Sequence, residues 1–278
     1  FMHNTHTPAP YGYGWTGLSM IPFGLGFGMF FTTWFAFKLF MISALYALYK
    51  GLQKLAVAMR GRELSVGQIS LLFLNPLFLI ETISSAHNDV WMMALAVWSL
   101  AFVMDHKKGA WHIIFSGLLL TASISIKYVT ILIVPIWLFL VIRTFLKSKL
   151  QNIIKKKLRI QSQIIESVFQ KSRDWANLFI PPILSWILFI PLLTARSQQF
   201  HPWYLIWVIT WLPFISTTWW KWSLVALSIS SLLRYLPWIA NGAYSAQILA
   251  SQKNITWIPF FIMVVLQILW WHSHKDKA

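Results

Sequence analysis

Residues 111–146 read WHIIFSGLLLTASISIKYVTILIVPIWLFLVIRTFL, two apolar runs that meet at one cation, Lys127, with Arg143 the next charge and no acid in between. A helix that crosses a bilayer takes about 20 mostly apolar residues, with roughly 17–25 usual. Runs 111–126 and 128–146 sit near that length, so they read as two spans joined at Lys127; two half-helices or one re-entrant hairpin are the alternatives. The same pattern continues on both sides. Apolar segments near 25–49, 65–84, 90–104, 175–194, 203–220, 222–239 and 255–271 bring the total to nine. The expected fold class is all-α, a polytopic membrane protein of about nine transmembrane helices.

Composition points the same way. The 278 residues are 58% hydrophobic, 17% aromatic and 11% charged, with a mean hydropathy of +0.62. Globular chains average about 25% charged residues, so a water-soluble domain is excluded. Cysteine is absent, which removes disulfides and thiolate metal sites. Lys and Arg number 23 against 7 acids, a formal charge of +16. In a membrane chain such an excess marks cytoplasmic loops. With the first span running inward, 18 of the 23 cations fall inside and two, Arg196 and Lys253, fall outside. The N-terminus is therefore expected outside and the C-terminus inside.

Segment 147–173 is basic, with Leu150, Ile154, Leu158, Ile165 and Phe169 at helical spacing. It reads as a cytoplasmic amphipathic helix on anionic membrane lipid, with a solvated connector as the alternative. No aromatic readout surface accompanies the basic run, so nucleic acid is not an expected partner. Gly24 and Gly28 form a GxxxG, which suggests helix packing. The short pairs His3/His6 and His272/His274 read as incidental rather than metal-binding.

Acids are few and mostly inside; only Asp89 lies at the expected outer face, with Glu81 within the second span. Asp89 closes the string His87-Asn88-Asp89. A short connection favours such polar residues anyway, but an ionisable group inside a span is a functional candidate by default. Pro76, preceded by Asn75, is expected to loosen the helix that carries Glu81. Other polar groups collect on the same outer face: Tyr11 and Tyr13 before the first span, Lys127 and Tyr128, then Arg196, His201, Trp203 and Tyr204, and Arg234. Carboxylates, cations and aromatic rings together suit transfer of a sugar from a lipid phosphate to a hydroxyl. The carboxylate takes the acceptor proton, the cations stabilise the departing phosphate, and rings face the sugar.

Asn75-Pro76-Leu77-Phe78-Leu79-Ile80-Glu81 followed by Ala86-His87-Asn88-Asp89 resembles the NP-x(4)-E…HND signature of GT-C superfamily polytopic glycosyltransferases. Within that superfamily it is similar to the bacterial polyprenyl-phosphate-mannose-dependent mannosyltransferases. Tyr11-Gly12-Tyr13-Gly14-Trp15-Thr16, the stretch Gly117 to Pro135 with Ile126-Lys127-Tyr128, and His201-Pro202-Trp203-Tyr204 resemble three further family motifs in the same order. The resemblance implies one transmembrane glycosyltransferase domain over 1–278, in a bacterial inner membrane. It further implies a hexose, mannose foremost, moved with inversion from a polyprenyl-phosphate donor to an extracytoplasmic glycan or glycolipid acceptor.

On this reading of the outer polar cluster Asp89 and His87 are the expected catalytic residues, and Lys127, Arg196 and Arg234 the phosphate ligands. Glu81, Asn88, Tyr11, Tyr13, Tyr128, His201, Trp203 and Tyr204 would shape the pocket. No cofactor is required, although a divalent cation stays open. Family members carry an acidic first outer loop ahead of the Tyr-Gly run, so the chain is expected to lack an N-terminal portion, with Asp89 as base the alternative. A transporter or flippase for a lipid-linked sugar, or a non-catalytic membrane subunit, are the competing classes.

Overall fold

A computed structural model describes residues 11–105, 110–157, 178–194, 200–242 and 245–274. It is 86% helix, and no strand occurs among the described residues. Helices α1 (Tyr13–Leu25), α2 (Phe30–Arg60), α3 (Val66–Phe73), α4 (Pro76–Leu79), α5 (Asp89–Met104), α6 (Ala110–Ile126), α7 (Val134–Lys157), α8 (Leu178–Leu193), α9 (Leu205–Ile209), α10 (Thr218–Leu233), α11 (Leu236–Asn241) and α12 (Ala246–His274) follow in order.

Four helical stretches are long and apolar enough to cross a bilayer: Phe30–Arg60, Tyr128–Leu146, Thr218–Asn241 and Ala246–His274. The pair Val66–Phe73 and Pro76–Ser84, bent by 58°, makes a fifth if it counts as one broken span. The other apolar segments fall on shorter helices, Asp89–Met104, Trp111–Ile126, Leu178–Leu193 and Pro202–Phe214. Large apolar side chains stand outward along α2 (Phe31, Trp34, Phe35) and α12 (Phe261, Val265, Leu269), each more than half exposed. Patches of this kind need a lipid solvent. The chain is an integral membrane protein.

The described residues divide into two compact units. The first holds α1, α2, α5, α6 and α7. Its centre is α5, buried almost all round: Val90, Met93, Val97 and Leu100 are at most 1% exposed. Small residues let its neighbours approach closely, as helix packing in lipid requires. Gly51 of α2 lies against the Trp98 ring, and Trp98 Nε1 donates to the Ala47 carbonyl at 2.8 Å. Ser116 and Ser123 of α6 donate to the Ser99 and Met92 carbonyls of α5, both at 2.8 Å. In lipid, such bonds satisfy hydroxyls that have no water to turn to.

The second unit holds α3, α4 and α8 to α12. Ser65 and Gln68 form a capping box that starts α3. An aromatic cluster joins α8, α10 and α12, with Trp186 stacked on Trp220 at 4.0 Å and Phe189 and Phe260 around them. Ser230 of α10 donates to the Thr256 carbonyl of α12 at 2.8 Å.

Tyr13 and Trp15 precede the first span-length helix, Phe30–Arg60, and lie on a helix of their own, α1. Two expectations need amendment. Gly24 and Gly28 do not pack helices: a Cβ at either meets nothing within 4 Å, and Gly28 turns the chain with φ +75°. The basic segment 147–173 begins as a continuation of α7 to Lys157, and its remainder lies outside the described residues.

Candidate functional site

In the first unit, polar chemistry gathers where α5 begins and α6 ends. Asn88 is the residue before α5, Asp89 its first residue, and both are buried, at 2% and 0% exposure. A carboxylate in a helix's first turn is favoured by the unpaired backbone N–H groups there. At the end of α6, Lys127 leaves helical geometry with φ −156° and ψ 125°, and Tyr128–Ile133 continues as a 3₁₀ helix. That break aims Lys127 Nζ at Asp89 Oδ1, 2.9 Å away. Both side-chain atoms of the Asn88 amide are buried without a hydrogen-bond partner among the described residues.

Tyr11 closes this cluster. Lys127 Nζ lies 5.9 Å from the centre of its ring. Burial, and then the nearby Asp89 carboxylate, push the Tyr11 phenol above its ordinary range. The glycines that follow explain how the ring is held. Gly12 N–H donates to the Ile126 carbonyl at 3.0 Å. A Cβ on Gly12 would overlap the Ser125 carbonyl, and one on Gly14 the Ser125 hydroxyl. The Tyr-Gly-Tyr-Gly run therefore lies directly on the last turn of α6.

In the second unit, a different carboxylate organises the neighbourhood. Asn75 caps α4, accepting from Leu77 and Phe78 N–H, while its amide donates to Ser228 of α10 at 2.8 Å. Pro76 fills the first helical position, where no N–H is needed. After one turn the helix widens into a π turn, Ile80–Ser84, which places Glu81 at 0% exposure. Ala86 ends it in the left-handed region, φ +55°, with His87 N–H returning to the Glu81 carbonyl at 3.0 Å.

Glu81 Oε1 accepts from the Tyr235 hydroxyl at 2.9 Å, and Oε2 lies 3.3 Å from His87 Nε2. The His87 ring stacks on Trp203 at 4.0 Å, and His201 stacks on Trp203 at 4.3 Å. Tyr204 meets His201 edge-on. A cavity of about 310 Å³, within the range of small-molecule pockets, is lined by Phe200, His201, Arg234, Tyr235 and Gln252 among others. The Arg234 guanidinium lies 5.8 Å from the Phe200 ring centre and 3.4 Å from Thr256 Oγ1.

The structure thus brings Asp89, Lys127 and Tyr11 together in one unit, and Glu81, His87, His201, Trp203, Tyr204 and Arg234 near one another in the other. Tyr13 and Tyr128 are exposed, at 91% and 67%. Arg196 lies outside the described residues. Tyr235 and Gln252 were not singled out by sequence; neither carries a charge to mark it. Among the described residues, no three His, Asp or Glu gather as a metal site.

These residues supply a buried carboxylate held by a cation, a second carboxylate oriented on a phenol and an imidazole, and an aromatic cavity with a guanidinium. Groups of these kinds, taken unit by unit, are ones that bind anions and sugars and move protons. A family model described as Alpha-(1->6)-mannopyranosyltransferase, N-terminal domain, matches residues 3–143, half of the chain. The chain belongs to this mannopyranosyltransferase family. It is accordingly a membrane glycosyltransferase of mannosyltransferase type, as the NP…E…HND resemblance implied. Glu81, His87, Asp89 and Lys127 fall inside the family match, whereas His201, Trp203 and Arg234 fall beyond it. Comparison with curated proteins and with solved structures gives no match.

Proposed function

We propose that the protein transfers mannose from a polyprenyl-phosphate donor to a hydroxyl of an extracytoplasmic glycan or glycolipid, with inversion, forming an α-(1→6) linkage. It would do so as a polytopic enzyme of about nine crossings, N-terminus outside and C-terminus inside, in a bacterial inner membrane. The observation that carries this reading is the Asp89–Lys127 pair, its carboxylate buried, inside the family match, at 2.9 Å. A polyprenyl phosphate brings its own anion to the site. Lys127 exchanges the Asp89 carboxylate for the donor phosphate, and Asp89 is released to take a proton.

The acceptor oxygen then attacks C1 of the sugar. Its proton passes to Asp89, the C1–O bond breaks, and the electron pair leaves on the phosphate oxygen. Lys127 is the cation that stabilises the charge appearing there. A phosphate leaves without strong acid help, so a base and a cation suffice. His87 is the second proton-handling group, with Glu81 fixing its Nε2.

The test is transfer of labelled mannose from a short-chain prenyl phosphate to an oligomannoside, with the full-length protein in lipid nanodiscs. Asp89→Asn and Lys127→Ala each abolish product while the protein keeps its elution profile. Wild-type turnover in both variants overturns the assignment.

A further inference from the structure

Two polar side chains at the start of α5 are left without partners. Neither the amide nitrogen nor the amide oxygen of Asn88 has a hydrogen bond, nor does Trp91 Nε1, and all three atoms are buried. A buried N–H or carbonyl without a partner costs a fold the full desolvation of that group, so such atoms are few and call for an explanation. Local structure offers Asn88 an outlet that it does not take. It stands just before the first residue of α5, where asparagine usually accepts from the backbone N–H two or three residues on. Its φ −67° and ψ −9° are helical instead, and no side-chain cap bond forms. Its backbone carbonyl already accepts from Met92 N–H at 3.2 Å.

The two side chains share one face. Three residues apart in helical geometry, they project within about 60° of each other around α5. Trp91 packs its ring against Phe40 of α2, centroids 4.8 Å apart, and Trp15 of α1 also meets Phe40, at 6.5 Å. Asp89 projects about 100° from Asn88 and reaches Lys127. Asn88 and Trp91 together offer an amide that gives and accepts and an indole N–H that only gives. Neither is charged, and an anion would leave the amide carbonyl without a donor. A sugar with adjacent hydroxyls meets the set, one giving its proton to the amide carbonyl while its neighbours accept from the amide and the indole. The hydroxyl that Asp89 deprotonates has to lie within hydrogen-bond reach of that carboxylate, and Asn88 is its chain neighbour. We propose that Asn88 and Trp91 bind hydroxyls of the acceptor sugar and hold it beside Asp89. The assignment rests on the reading above that Asp89 takes the acceptor proton, and it names two residues that choose the acceptor. Their polar atoms are shielded in the free chain, so the acceptor reaches them by displacing what shields them.

Binding tells acceptor from donor. The full-length protein in lipid nanodiscs is titrated with a labelled oligomannoside in the presence of a short-chain prenyl phosphate, and separately with that prenyl phosphate carrying mannose. Asn88→Leu removes the amide; Trp91→Phe keeps a ring against Phe40 and removes the N–H. Each weakens the oligomannoside about tenfold, the size of one lost hydrogen bond, and leaves affinity for the mannosylated probe at the wild-type value. Asn88→Leu melts at or above the wild-type temperature, because it removes an amide that the free chain does not bond. Wild-type oligomannoside affinity in both variants overturns the proposal, and is the result expected if the amide only holds a water. A wild-type protein that binds no oligomannoside overturns it too, as does a loss on the mannosylated probe in place of the oligomannoside. If the oligomannoside losses appear but wild type transfers no mannose, the acceptor seat stands and the transferase reading falls. Transfer with a wild-type acceptor KM in both variants sinks the seat and leaves that reading in place.

Discussion

Lys127 Nζ and Asp89 Oδ1 lie 2.9 Å apart, with the carboxylate side chain at 0% exposure and the lysine at 16%. Two charges this sheltered depend on each other, because neither has enough water to replace its partner. Removing either one alone takes from the other its partner at 2.9 Å, at a cost of about 3–5 kcal/mol. Asp89→Leu and Lys127→Met are each expected to lower the melting temperature sharply, and the double variant to recover most of the loss. Activity stays lost in all three. Thermal melting of the four proteins in nanodiscs checks the cycle; a strictly additive double variant argues against mutual dependence.

The Tyr11 phenol titrates above its ordinary value of 10.0, first through burial and then through Asp89. A group whose folded-state value is raised contributes stability that is present below its unfolded value and is lost as pH climbs through the folded one. Wild type therefore loses stability more steeply above pH 10 than Tyr11→Phe does. Difference absorbance at 295 nm, Tyr11→Phe against wild type, shows one late-ionising phenol. In Asp89→Asn its midpoint moves down but stays above that of free tyrosine, since burial is the larger cause. A midpoint that does not move with Asp89 removes the carboxylate from the account.

Gly12 has no room for a methyl group, because the Ser125 carbonyl occupies the place where Cβ would stand. Backbone cannot yield as a flexible side chain can. Gly12→Ala is expected to cost about 1–3 kcal/mol and to lift Tyr11 away from Lys127. Melting reads the first effect. The second appears as a Tyr11 midpoint that falls toward the ordinary value.

Asn75 serves two helices at once, capping α4 with its carbonyl oxygen and reaching Ser228 of α10 with its amide. Asn75→Ala loses a cap worth about 1 kcal/mol together with a buried bond of about the same size. Asn75→Asp keeps the cap and loses the donor, so it falls between alanine and wild type. Ser228→Ala combined with Asn75→Ala is less than additive if the bond is real; the melts of the double-mutant set decide it.

Helices were legible because apolar runs of this length have few other fates; the expected segment 203–220 is the exception, since its helical stretch ends at Phe214 and α10 starts afresh at Thr218. Crossing was less legible. Asp89–Met104 and Trp111–Ile126 are apolar but short; composition gives a helix's character before its length. The first helix was missed because Gly12, Gly14, Gly17 and Pro22 dilute its apolar count, although Gly12 and Gly14 are what lets it lie on α6. The break at Asn75-Pro76 could be read from the proline. The π turn after it could not, since nothing in Ile80-Glu81-Thr82-Ile83-Ser84 distinguishes six-residue from five-residue spacing.

The site divides on the same line. Asp89, Lys127, Glu81 and His87 stood out because charge is rare in this chain. Tyr235 is an uncharged residue beside an apolar helix and becomes visible only through a partner far along the chain. Tyr235 and Glu81 are 154 positions apart.

The π turn at Ile80–Ser84 also has a bearing on how this protein can change over generations. Such a turn holds one residue more than the helix needs, and helical residues are spaced by about 100° around the axis. Deleting any one residue there would restore ordinary winding, at little local cost, and would swing everything after it by that angle. His87 would leave Trp203, and Ala86 would lose its reason to adopt φ +55°. The geometry accommodates point changes along lipid-facing surfaces more readily than any change in the number of residues between Pro76 and His87.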